Sequence, residues 1–242
     1  MITAVTFDLW DTLVTDRDLL DRMALRARRL REALAPLGVY PRDEELEQAF
    51  RQSWKNFDRV WVGERRTPST AESLDVVLGE LGVDASASTR AAVARTMEDL
   101  VLEIPPVPVD GAVEVVAELA RHHSLGLVSD TGISPGRALR LVLERLGLAR
   151  HFTYLYFSDE GGMSKPDPRV FALVLEKLGA RPEEAAHVGD ILRTDIVGAQ
   201  SAGMRAVHFV GVNASDAAES RADAVIHRLH DLPATLAALS DR

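Results

Sequence analysis

Three features of this 242-residue chain predict an α/β fold, a doubly wound parallel sheet interrupted by a helical insertion. Short apolar runs end repeatedly in acidic or hydroxyl residues, as strands do when they deliver polar groups to a loop. Through the second half of the chain these runs alternate with helical periodicity, the pattern of βαβ units. After the first run, by contrast, a long stretch carries only the helical period.

The first run, 2–7, is apolar enough to lie buried on both faces of a parallel sheet, and it gives way to a loop at Asp8. Helical spacing then occupies 17–35, 42–60, 70–81 and 88–102. Pro105, Pro106 and Pro108 make a stiff return linker to a helix over 111–121. The run 125–128 ends in Ser129, Asp130, Thr131 and Gly132 and is followed by a helix over 135–146 and a strand over 153–157. Asp167 before Pro168 reads as an N-cap and first helical residue, opening a helix over 169–178. The run 185–188 ends in Gly189 and Asp190, with Asp195 at the start of helical 196–202. Strands near 206–210 and 224–226 complete a sheet of five or more strands. The expected division is a core of 1–14 and 104–242 and a helical cap of 15–103. Too little chain lies between Gly132 and Lys165 for a second cap, and no repeat of a solenoid type is present.

Composition narrows the function. At 46% hydrophobic residues the chain can bury a substantial core. The absence of cysteine rules out disulfides, thiolate metal sites and a thiol nucleophile. A net charge of −9 disfavours nonspecific attraction to nucleic-acid phosphates, so no nucleic-acid partner is expected. No run of about 18 apolar residues and no basic N-terminal segment with an apolar stretch is present, so no membrane partner is expected and the expected location is the cytoplasm. The adjacent His122 and His123 diverge on a helix and read as a solvated helix end, while His187 reads as a hydrogen-bonded core histidine. No zinc site is predicted.

Four polar constellations remain. Asp8 and Asp11 lie in Val5-Thr6-Phe7-Asp8-Leu9-Trp10-Asp11-Thr12-Leu13; Ser129 and Thr131 follow the second strand; Lys165 follows Gly161-Gly162; Asp190 and Asp195 follow a third strand. Singly, each has an ordinary reading. An acid closing a strand forms turns, a hydroxyl caps a helix, and a loop lysine is solvated. In this order and spacing, however, they resemble the four motifs of the haloacid dehalogenase superfamily, whose members are mostly aspartate-nucleophile phosphohydrolases. The resemblance spans both core and insertion. It implies a Rossmann-like core with a C1-type helical cap. It places the nucleophile on Asp8, the phosphate-binding hydroxyl on Ser129, the cation on Lys165 and the metal-site acids on Asp190 and Asp195.

The implied chemistry explains that set. Phosphoryl transfer needs an in-line nucleophile and neutralisation of charge on the transferring oxygens, which Mg²⁺ and a cation supply. Attack by the Asp8 carboxylate makes an aspartyl-phosphate and splits one displacement into two easier ones. Mg²⁺ takes oxygen ligands, here Asp8, the main-chain carbonyl of Trp10 and Asp190. Asp195 serves through metal-bound water or by fixing Lys165. The expected substrate is a small phosphorylated molecule. Oligomeric state is not readable.

At Trp10 the sequence departs from the phosphatase pattern, which has a second aspartate there to protonate the leaving alcohol and then activate water. An indole N–H cannot transfer that proton. Asp11 is a substitute only if a turn re-aims it, since neighbouring strand residues face opposite ways; its other reading is turn stabilisation. The superfamily's 2-haloacid dehalogenases carry an aromatic residue at this position and need no metal, so metal-independent dehalogenation at Asp8 is one alternative. A phosphometabolite-binding protein of low turnover is another.

In the insertion, Phe50, Trp54, Phe57 and Trp61 recur at helical spacing, with core packing as the default and a pocket wall as the alternative. Arg59, Arg65 and Arg66 are candidates for binding a substrate carboxylate or second phosphate, against a solvent-facing default. Thr131 is a further candidate for substrate binding.

Overall fold

The computed structural model describes residues 1–16 and 19–241. Six strands form one sheet in the order β5-β4-β1-β6-β7-β8, where β1 is Ala4–Phe7, β4 Ser124–Ser129, β5 Tyr154–Phe157, β6 Ala185–Gly189, β7 Arg205–Phe209 and β8 Ala224–Ile226. Every neighbouring pair in this sheet is parallel. β1 sits centrally, with Phe7 opposite Leu127 of β4 and Val188 of β6. Chain order reverses beside β1, creating the crevice where α/β sheets bind ligands.

The continuous apolar character of β1 follows from burial on both faces. Val5 and Phe7 join one cluster with residues of α5 (Ala112–Leu119), α6 (Gly136–Arg145) and α10 (Leu232–Ser240). Ala4 joins the opposite cluster, built with α8 (Pro168–Leu178) and α9 (Val197–Ser201). The expected α8 start is present, the Asp167 side chain accepting from Arg169 N at 3.0 Å ahead of Pro168. A four-residue helix, α7 (Ser158–Gly161), follows β5.

The helical stretch lies between two short strands that pair antiparallel, β2 (Val14–Thr15) and β3 (Val107–Pro108). Pro108 therefore lies in a two-stranded ribbon through which the chain leaves and returns, with Pro105 and Pro106 just before it. Between them lie α1 (Leu19–Leu34), α2 (Asp43–Glu64), α3 (Thr70–Glu80) and α4 (Ala87–Glu103). They share an apolar cluster that includes Leu30, Leu46, Leu78 and Leu100. The expected start of the first helix at 17–18 lies outside the described residues. α2 runs four residues beyond its expected end and stops where Arg65 turns left-handed at φ 53°. Ser69 and Glu72 form a reciprocal capping box at α3, and Ser86 caps α4. No helix among the described residues is long and apolar enough to cross a membrane.

Candidate active site

Parallel register carries Asp8 to the carboxyl edge of the sheet, its N–H donating to Val188 O at 2.9 Å. The chain then turns tightly, Leu13 N and Val14 N both donating to Leu9 O. β6 ends alongside at Gly189, where a side chain is sterically excluded: a Cβ there would collide with the Asp195 carboxyl group. A π-helical turn, Leu192–Ile196, brings Asp195 back against that glycine. Carboxylate oxygens of Asp8, Asp190 and Asp195 consequently lie within 4.8 Å of one another, all three residues buried.

Lys165 neutralises part of this charge. Its Nζ donates to Asp8 Oδ1 at 2.5 Å and to Asp195 Oδ1 at 2.6 Å, with only 3% of the side chain exposed. Burial opposes the ammonium charge, but Asp195, Asp8 and Asp130 outweigh it and raise the lysine pKa well above its usual value. Burial also opposes ionisation of Asp195, yet Lys165 and His187 hold that carboxyl well below the ordinary range. For Asp8 burial prevails, aided by Asp195 and Asp190, and its pKa is raised despite Lys165. Asp190 is pushed up to about 7, by burial first and then by Asp195. It accepts from Thr12 Oγ1 at 3.5 Å and Asn213 Nδ2 at 3.1 Å.

His187 is the hydrogen-bonded core histidine expected, with Nδ1 2.8 Å from Thr6 Oγ1 and Nε2 3.1 Å from Asp195 Oδ1. Ile191 N donates to the other Asp195 oxygen at 3.0 Å. Asp195 is thus fixed by Lys165, a histidine and a main-chain N–H. Among the described residues, the Asp190 carboxylate is held by Thr12 and Asn213 alone.

These groups open onto a cleft of about 490 Å³ between the sheet edge and the helical insertion, lined by Asp8, Trp10, Asp11, Asp130, Lys165 and Asp190 on the sheet side. Asp11 sits left-handed at φ 52°, and its carboxylate accepts from Thr15 Oγ1 at 2.7 Å, the turn-stabilising role. Ser129 is fully buried at the end of β4, and its hydroxyl has no partner among the described residues.

The candidates for substrate binding, Thr131, Arg59, Arg65 and Arg66, are not among the residues lining the cleft. Thr131 is buried away from the cleft wall, its hydroxyl 3.0 Å from Ser158 Oγ. Arg59 is exposed beside Glu64 and Asn56. Arg65 is exposed at the end of α2, where its carbonyl accepts from Ser164 N at 2.8 Å. Arg66 pairs with Glu64 and Glu72.

The aromatic stripe divides. Phe50 packs on the helical core, whereas Trp54, Phe57 and Trp61 line the cleft. Trp61 Nε1 donates to Asp130 Oδ2 at 2.8 Å, and Lys165 N donates to Asp130 Oδ1 at 3.1 Å. Burial pushes Asp130 up to about 6 despite Lys165 and these donors. Sequence reasoning also missed Asp16, Arg22 and Arg26, which line the insertion side. The i,i+4 spacing of the two arginines was the available signal.

The family model for haloacid dehalogenase-like hydrolases matches residues 2–203. The chain is 33% identical over 223 residues to the mouse haloacid dehalogenase-like hydrolase domain-containing protein 3, covering 88% of this chain and 84% of that protein. It is 30% identical over 215 residues to a glyceraldehyde 3-phosphate phosphatase of Methanopyrus kandleri, covering 86% and 84%. A crystal structure of a 2-haloacid dehalogenase from Pseudomonas syringae superposes with a TM-score of 0.71 at 28% identity, covering 98% of this chain and 99% of that one. With the family model spanning most of the sequence, the chain belongs to the haloacid dehalogenase-like hydrolases.

Proposed function

We propose that the protein is a Mg²⁺-dependent hydrolase of small phosphorylated metabolites that works through an aspartyl-phosphate on Asp8. The observation carrying this reading is the convergence of Asp8, Asp190 and Asp195 around one point, with Lys165 wedged against two of them. Three carboxylates around one ammonium leave an excess of negative charge, which a divalent cation would offset. The donor set is all oxygen, the preference of Mg²⁺, and contains neither sulfur nor a histidine nitrogen free to ligate. Asp8, the Trp10 carbonyl and Asp190 would hold the ion, with Asp195 acting from behind them. When bound, it would supply charge neutralisation at the transferring phosphoryl oxygens.

The protein's own groups carry the remaining steps. Lys165 keeps the Asp8 carboxylate oriented and offers its ammonium to the phosphoryl oxygens. The partnerless Ser129 hydroxyl offers a donor on the strand beside β1. Asp8 attacks phosphorus, and the bond to the leaving oxygen breaks; water then attacks the phosphorus of the acyl phosphate, freeing Asp8 and releasing phosphate. Trp10 contributes no transferable proton to either step. We propose that acid assistance is deficient, because Asp11 is engaged by Thr15 in a turn.

A second reading, metal-independent displacement of halide from carbon by Asp8, is favoured by the aromatic Trp10 and by the likeness to a 2-haloacid dehalogenase. One panel separates them. Phosphate release that needs Mg²⁺, stops with EDTA and is lost in Asp8→Asn supports phosphohydrolysis. Halide release without Mg²⁺ overturns it in favour of dehalogenation, and tight binding without release overturns both in favour of a binding protein.

A further inference from the structure

Two arginines one helical turn apart on α1, Arg22 and Arg26, line the cleft opposite the sheet edge. Their situations differ. Arg22 is spent within the protein: it donates to Ile104 O at 2.7 Å and pairs with Asp16 at 2.5 Å, and its guanidinium carbon lies 5.6 Å from the centre of the Trp10 ring. Arg26 makes no hydrogen bond or ion pair among the described residues, although its Nε is shut off from water. Burial, reinforced by the neighbouring Arg22, pushes Arg26 down to about 10. A buried guanidinium Nε without an acceptor is costly, while the half-buried side chain lines the cleft, where a ligand can supply the missing partner.

Its surroundings suit a ligand. Arg26, Trp54, Phe57 and Ile133 form the wall common to the cleft and to an apolar cavity behind it. Apolar ring faces beside the guanidinium lower the local dielectric, which strengthens any charge-assisted bond made there. Asp16, the acid beside the arginines, favours the Arg26 charge from a distance but is paired with Arg22 and makes no ion pair with Arg26 among the described residues. Lys165, the other cation lining the cleft, is consumed by Asp8 and Asp195. Among the described residues lining the cleft, Arg26 is the cation without an ion-pair partner.

We infer that the Arg26 guanidinium receives a second anionic group, a carboxylate or a phosphate, at the end of the substrate remote from the phosphoryl group that Asp8 attacks. The inference rests on the phosphohydrolase reading for its orientation and names the substrate class that reading leaves open. A planar guanidinium suits either anion, since both present paired oxygens to its fork of N–H donors.

The test compares matched esters in the purified Mg²⁺-loaded protein: phosphoglycolate against ethyl phosphate for the carboxylate, and 1,3-propanediol bisphosphate against its monophosphate for the phosphate. The wild type is expected to favour at least one doubly anionic ester in kcat/KM by about 10- to 100-fold, the span of one charge-assisted bond. Arg26→Met is expected to bring that ratio close to one, and Arg26→Lys to recover part of it. Whichever pair shows the preference identifies the anion. A wild type without preference in either pair overturns the inference, as does an Arg26→Met protein that loses activity on both members equally. Calorimetric binding of the same esters to Asp8→Asn protein, with and without Arg26→Met, answers the Arg26 question without turnover. No phosphate release from any ester would sink the phosphohydrolase reading alone, while equal affinities in the binding arm would sink the anion subsite alone.

Discussion

Replacing Lys165 by Met removes one buried cation and leaves two carboxylates facing each other in the dark of the core. The lysine side chain is 3% exposed, that of Asp195 1% and that of Asp8 10%, so water cannot step into the vacated place without reorganising the site. Breaking a buried ion pair by removing one partner costs about 3–5 kcal/mol. Asp8, already raised in pKa, escapes most easily by taking up a proton. Asp195 retains His187 and the Ile191 N–H, but it loses the main cause of its low pKa. The cost therefore depends on pH in a definite direction. Without Lys165 the Asp8 carboxyl rises further above its unfolded value and Asp195 loses the main cause of its depression, so these carboxyls bind more protons in the folded variant than in the folded wild type and the deficit grows as pH rises. Wild type and Lys165→Met should lie closest near pH 5 and diverge toward pH 8. For a chain of this size, about 3–5 kcal/mol corresponds to a fall in Tm of about 6–20 °C. Thermal melts followed by circular dichroism in metal-free buffer from pH 5 to pH 8 measure it. A fall under about 2 °C at pH 8, or a deficit that grows on acidification, would refute the reasoning.

Metal affinity should rise with pH, because Asp190 stands at about 7 and must release its proton to ligate. Calorimetric titration is expected to show Mg²⁺ affinity rising about tenfold or more from pH 5 to pH 6 and levelling above pH 8; an affinity independent of pH contradicts this. In the metal-free protein the same raised carboxyl costs stability as pH climbs from 3.8 toward 7, so Mg²⁺ should raise Tm more at pH 8 than at pH 5. Asp190→Asn should weaken Mg²⁺ binding more than Asp195→Asn, since Asp190 is the less encumbered acid; equal or reversed effects in the same titration reject its assignment as the direct ligand. With Trp10 in place of an acid, activity should fall steeply as the leaving group becomes more basic, alkyl esters lagging aryl and acyl phosphates by about 10² to 10⁴ beyond their intrinsic difference. A flat dependence under rate-limiting chemistry would point to Asp11, a residue of the insertion or the substrate as the missing acid.

Much of this site was legible because its chemistry is tied to strand ends. Asp8, Ser129 and Asp190 each close an apolar run, and parallel pairing forces such ends onto one edge of the sheet. The Asp167-Pro168 helix start was equally local, written in two residues. What escaped depends on how the insertion lies against the core. Arg59 lies within the aromatic stripe and Arg65 just beyond α2, yet both are exposed and off the cleft lining, while Arg22 and Arg26, from a helix read only by its period, reach it. The division of Phe50 from Trp54, Phe57 and Trp61 has the same origin. Helical periodicity identifies an apolar face without saying whether another helix or a substrate covers it. The engagement of Asp130 was not legible because its partners, Trp61 and the Lys165 N–H, come from segments far apart in the chain.

The central claim is that Asp8 takes the phosphoryl group. Rapid-quench mass spectrometry of the protein mixed with Mg²⁺ and an acyl or aryl phosphate tests it most directly. Because loss of acid assistance slows alkoxide departure but spares such substrates, the phosphorylated form should accumulate early. The expected result is an added phosphoryl mass on the peptide bearing Asp8, absent in Asp8→Asn and chased by water into free phosphate. Steady phosphate release with no adduct at Asp8, or an adduct that persists in Asp8→Asn, would contradict the account.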